Sequence, residues 1–151
     1  MSHIDRLKQL GFELPTPLPA LGSYNVVTTS GNQVFVSGLG PIANGKPVVG
    51  LVGDDITLAE AQDAARMTML LILASLEQNG GLDSIRRCLR LTVYVRADAS
   101  FTAHPKVADG ASDLLRDLFG AELLPARSAI GVSSLPMGIP VEIDSIFERH
   151  Y

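Results

Sequence analysis

The chain has 151 residues, 46% of them hydrophobic, and a net charge of −4. That length fits one domain with its own core, and the composition excludes a disordered chain. A single cysteine excludes a disulfide framework, and no apolar run approaches the roughly 20 residues of a membrane helix.

The chain opens MSHIDRLKQLGFELP, with charges mixed among apolar residues. It lacks the basic, apolar, then small order of a secretion signal, so a cytoplasmic protein is the expectation. Ile4, Leu7 and Leu10 recur at helical spacing, which predicts a helix over 3–10 ended by Gly11. The Pro-rich bend Leu14–Pro19 follows, so 1–19 is a lead-in within a single domain spanning 1–151.

Asn25–Thr29 and Gln33–Ser37 flank Ser30-Gly31-Asn32, a hairpin pattern. Asn44-Gly45 marks a tight turn in the turn-rich stretch Ser37–Gly50. Thr57-Leu-Ala-Glu60 reads as a capping box. Leu58, Ala61, Ala65, Thr68, Ile72 and Leu76 then mark one face of a long helix stopped by Gly80-Gly81. Arg86–Arg96 alternates as a strand: Leu89, Leu91, Val93 and Val95 on one side, Cys88, Arg90, Thr92, Tyr94 and Arg96 on the other. A second long helix, Pro105–Phe119, ends at Gly120. Ser128–Ser133 and Pro140–Phe147 read as two strands of a closing hairpin around a Pro/Gly turn.

The order ββ, α, β, α, ββ has no regular βαβ repeat. It predicts an α+β fold, two long helices on one face of a mixed sheet. Such a sheet leaves its other face bare, and oligomerisation is the expected cover.

His3, His104 and His150 are far apart and Cys88 stands alone, so no metal-ligand spacing exists. Gly38-Leu-Gly40 begins like a dinucleotide loop, but Pro41 follows and no helix opens there. No Gly-x-Ser-x-Gly elbow is present. The negative charge and 5% aromatic content argue against a nucleic-acid partner.

Arg127, at the start of a strand, has two readings that the residues alone leave open. It pairs with Glu142 or Asp144 for ~0–1 kcal/mol, or its planar fork holds a ligand carboxylate. Glu142, Asp144 and Glu148 share one strand parity. They form a solvated face, or include a carboxylate that orients water or an amine.

Three stretches carry a resemblance: Ser23-Tyr24 before the first hairpin, FVSGLGPI at Phe35–Ile42, and PARSAIGVSSLPMGIPVEIDSI from Pro125. The last is similar to the long pattern P-x-R-x-x-x-x-V-x-x-L-P-x-x-x-x-V-E-I-x-x-I. Together they resemble the reactive intermediate deaminase family (Rid, or YjgF, also labelled endoribonuclease L-PSP), in a divergent bacterial branch. The resemblance implies a chorismate-mutase-like fold and a homotrimer with pockets between subunits. It implies hydrolysis of enamines and imines, such as 2-imino acids, to 2-oxo acids and ammonia, without a cofactor. It implies that Arg127 grips the substrate carboxylate and that Glu142 serves the imine nitrogen and water. Tyr24, Ser37 and Gly38 would line the pocket. Ala129 stands where many members carry cysteine, and Asp109 where the pattern shows asparagine; both would lie at the binding site. The partner is then a small carboxylate-bearing metabolite. Two other functions stay open: a non-enzymatic 2-oxo acid binder and, against the charge balance, an endoribonuclease.

Overall fold

Capping fixes where the helical layer begins. The computed structural model describes residues 1–151. Helix α1 (His3–Gln9) starts at Ser2, which forms a reciprocal capping box with Asp5. Helix α2 (Leu58–Gln78) starts at Thr57, whose hydroxyl accepts from the Glu60 N–H while the Glu60 carboxylate accepts from the Thr57 N–H. Helix α3 (His104–Phe119) carries Pro105 in its first turn and ends at Gly120, whose φ of 112° only glycine adopts readily. No helix is long and apolar enough to cross a membrane.

Strands β1 (Val27–Ser30), β2 (Gln33–Leu39), β5 (Ile85–Arg96), β6 (Ala126–Val132) and β7 (Val141–Arg149) form one sheet in the order β1-β2-β7-β5-β6. The short strands β3 (Ile42–Ala43) and β4 (Lys46–Pro47) form a separate hairpin around Asn44-Gly45. Helices α2 and α3 cover one face of the large sheet. Between them lies a core that includes Met69, Ile72, Leu91, Val93, Leu115, Ile143 and Phe147.

Two expectations about the strands are corrected. The last two strands are not a hairpin, because β5 lies between β6 and β7. β5, α3 and β6 make one βαβ unit, in which β6 runs parallel to β5 at the sheet edge. β7 runs antiparallel between β2 and β5. The physical reason lies in β7 itself: Val141, Ile143, Ser145 and Phe147 are all buried, which demands a central place. A closing hairpin would leave that strand at an edge or push β6, none of whose residues is buried, into the middle.

Cys88 also lies on the other face from the one expected. A register shift between Cys88 and Arg90 inserts Leu89 as a bulge. Cys88 turns into the core and Leu89 is only half-buried.

The two helices meet closely at Gly110. A β-carbon there would land on the backbone carbonyl of Gln62, which cannot swing away as a side chain can. Gly110→Ala is therefore expected to destabilise the fold by about 1–3 kcal/mol, despite alanine's better helix propensity. The check is the urea midpoint: a fall at unchanged slope is expected, and an unchanged or raised midpoint contradicts this packing.

Candidate functional site

The sheet face away from the helices carries Phe35, Thr92, Tyr94, Ser128, Ile130, Glu142 and Asp144, as the strand registers require. At one end of that face β2 and β7 slip out of simple register between Val36 and Leu39. Ser37 and Gly38 occupy the slip. It brings the Gly38 backbone against Glu142: a β-carbon on Gly38 would sit 2.9 Å from Glu142 Oε2. A larger residue here would push the carboxylate aside.

Tyr24, Ser37, Gly38 and Glu142 line one cleft of about 590 Å³. Leu39, Ile42 and Ile139 supply apolar wall. The Ser37 hydroxyl donates to the Asn25 carbonyl at 2.7 Å, which ties β2 to the segment before β1. The Tyr24 hydroxyl accepts from the Leu21 N–H at 3.1 Å, which leaves its own proton free to donate.

Glu142 is the one ionisable carboxylate in the cleft, and no cation of its own chain pairs with it. Burial holds its carboxyl above the ordinary range, and the charge of Asp144 adds to the effect. Asp144, given no role by sequence, accepts from the Tyr94 hydroxyl at 2.9 Å. That hydrogen bond is the first cause raising the Tyr94 phenol, followed by burial and the charges of Asp144 and Glu142.

Arg127 lies elsewhere. Register pairs it with Leu91, so it projects toward the helices, whereas Glu142 pairs with Tyr94 on the bare face. Arg127 meets neither Glu142 nor Asp144. Its Nη1 donates to Asp109 Oδ1 at 2.7 Å and to Ser112 Oγ at 3.0 Å, and its Nη2 donates to the Pro105 carbonyl at 3.2 Å. Pro105, Asp109 and Ser112 follow at i, i+4 and i+7, one face of α3. Of the five guanidinium N–H donors, Nε–H and one Nη2–H carry no hydrogen bond.

Ala129 pairs with Val93 and packs against the core, outside the cleft. Within one protomer, then, Tyr24, Ser37, Gly38 and Glu142 meet, and Arg127 meets Asp109. Inside a single protomer the two groups do not meet. Sequence reasoning missed Ser112 and the Tyr94–Asp144 bond. Ser112 was legible as the next residue on the helix face of Asp109, and Tyr94 and Asp144 as polar-parity residues of their strands.

No group of three or more His, Cys, Asp or Glu side chains converges to hold a metal. Burial pushes the Cys88 thiol up to about 12, which leaves it no useful thiolate near neutral pH.

The pattern of a family described as "YjgF/chorismate_mutase-like, putative endoribonuclease" matches residues 4–138. Protein TCP17 of Trypanosoma cruzi is 38% identical, over 94% of this chain and 91% of its own length. Two crystal structures share the fold. A protein of unknown function from Agrobacterium tumefaciens, Atu1372, superposes with a TM-score of 0.89 at 40% identity, over 98% of this chain and 92% of the other. A "putative endoribonuclease" from Shewanella oneidensis MR-1 gives 0.92 at 33% identity, over 98% and 99%.

Proposed function

We propose a function on one premise: this chain belongs to the YjgF/chorismate-mutase-like family. The reading is hydrolytic deamination of 2-imino acids to 2-oxo acids and ammonia, at pockets between the subunits of a homotrimer. One observation carries it. Glu142 stands in a cleft with no cation, and Arg127 stands at a sheet edge with two N–H donors unspent, on the opposite face. In this reading a neighbouring copy brings one to the other.

In this reading Arg127 of one copy takes the substrate carboxylate on its Nε–H and free Nη2–H. Glu142 of the next copy faces the imine carbon and nitrogen. An imine is already electrophilic, so positioning and proton transfer are the main needs. Glu142 accepts a proton from water as the oxygen attacks, then delivers a proton to nitrogen as the C–N bond breaks. Gly38 lets the backbone approach, and Tyr24 and the apolar walls hold the substrate's side group. No resident cofactor enters the scheme.

The reading is tested by generating 2-iminopropanoate in situ and following its decay. The purified protein is expected to accelerate that decay. No acceleration overturns the reading; binding of 2-oxo acids without turnover replaces it with a metabolite-binding role.

The acid pair makes a pH prediction. Asp144 helps to hold the Glu142 carboxyl high, so Asp144→Asn removes a negative neighbour and lets Glu142 ionise at lower pH. If Glu142 acts as the base, activity rises as it loses its proton. The acidic limb of the kcat profile is therefore expected to move to lower pH in Asp144→Asn. An unmoved limb, or one moved to higher pH, contradicts the coupling.

A further inference from the structure

Asp109 already engages the guanidinium that the substrate carboxylate would use. Its Oδ1 lies 2.7 Å from Arg127 Nη1, while Ser112 and the Pro105 carbonyl fix the same group. All three come from α3, so the pair is held by a helix rather than by a loose surface contact. Both partners keep access to solvent: the side chains are 27% exposed for Arg127 and 45% for Asp109. A ligand carboxylate on the remaining N–H edge would therefore share one cation with a carboxylate already in place. In the proposed pocket, Glu142 of the neighbouring copy adds further negative charge. This site is poor for a plain anion.

It is better for a zwitterion. A protonated 2-imino acid carries its carboxylate and a positive nitrogen, and the nitrogen faces Glu142. Asp109 repels the carboxylate end but attracts the iminium end only a few bonds away, so the two effects largely cancel. Hydrolysis removes that compensation. R–C(=NH2+)–COO− and H2O become R–CO–COO− and NH4+: the C–N bond breaks, the C=O bond forms, and the positive charge leaves with ammonium. The organic species in the pocket passes from net zero to net −1.

Resting on the reading above, we propose that Asp109 is a specificity-determining residue that favours the zwitterionic imine substrate over its own 2-oxo acid product. Product departs because its formation uncovers the repulsion from Asp109. The same residue keeps free 2-oxo acids from occupying the site.

The test compares KM for an imine generated in situ with Ki for the matching 2-oxo acid, in the wild type, Asp109→Asn and Ser112→Ala. Asparagine keeps the shape and a hydrogen bond to Arg127 but loses the charge. Ki is expected to fall about tenfold in Asp109→Asn, as removal of a like charge a few ångströms away implies. KM is expected to fall much less. Ser112→Ala, which touches Arg127 without charge, should leave the ratio of Ki to KM near that of the wild type. An unchanged Ki in Asp109→Asn, or equal changes in Ki and KM, overturns the inference while imine turnover by the wild type leaves the deaminase reading standing. A wild type that neither turns over imines nor binds 2-oxo acids removes that reading, and this inference with it.

Discussion

Glu142→Gln is expected to slow imine hydrolysis by roughly 10²–10⁴-fold in kcat, the usual worth of a positioned acid–base group. Glutamine matches the carboxylate in size and fits the space beside Gly38. It cannot accept the proton of the attacking water. The substitution also removes a half-buried charge with no cation of its own, so the fold has no ion pair to lose. Stability should hold or rise slightly above the pH at which Glu142 ionises. A folded-state pKa raised above the unfolded one disfavours the folded state once the group is charged. Loss of kcat with an intact melting profile is thus the expected pair of results. A kcat within a few-fold of the wild type would remove Glu142 from the chemistry.

Arg127→Ala is expected to lower kcat/KM by about 10–150-fold, from the roughly 1.5–3 kcal/mol of a charge-assisted hydrogen bond to a carboxylate. The loss should reach the upper end, because truncation also leaves Asp109 without its cation. Arg127→Lys separates charge from geometry. Lysine restores a cation but not the planar fork, so it should recover only part of the loss. Measured steady-state constants check both variants: a rise in KM larger than the fall in kcat is expected for Arg127→Ala. Equal kcat/KM for wild type and Arg127→Ala would reduce the arginine to a structural tie between β6 and α3.

Much of the fold could be read where the instructions are local. Thr57 and Glu60 define the start of α2, Gly120 ends α3, and Gly31-Asn32 turns the first hairpin. What could not be read was neighbourhood. The alternation inside β6 and β7 says nothing about which strand lies beside them. The closing stretch therefore read as a hairpin, although β5 separates its two strands. Parity failed at Cys88 for a related reason: one bulged residue, Leu89, exchanges the faces of the residues just before it, until a second register shift between Ile85 and Arg87 restores them.

The charges showed the same limit. Arg127 has Glu142 and Asp144 nearby in sequence order, but register sends it to the other face of the sheet. Its partner, Asp109, comes from the preceding helix. The resemblance named Asp109 without naming that bond. Tyr24, Ser37, Gly38 and Glu142 share one cleft, and their roles are the proposal above. Ala129, packed against the core, has no place in the cleft of its own protomer.

The placement of Arg127 and Glu142 on opposite faces gives the central claim a direct test. If each pocket joins Arg127 of one copy to Glu142 of the next, the two single variants fail for complementary reasons. Arg127→Ala and Glu142→Gln chains would be mixed, unfolded and refolded together, with mixed oligomers verified by mass. With substrate held below the wild-type KM, each variant alone should keep only a small fraction of wild-type turnover. In a randomly mixed ring, about a quarter of the pockets draw both intact residues from different chains, so up to about a quarter of wild-type imine hydrolysis should return. Mixed oligomers that regain no activity would contradict a site shared between subunits.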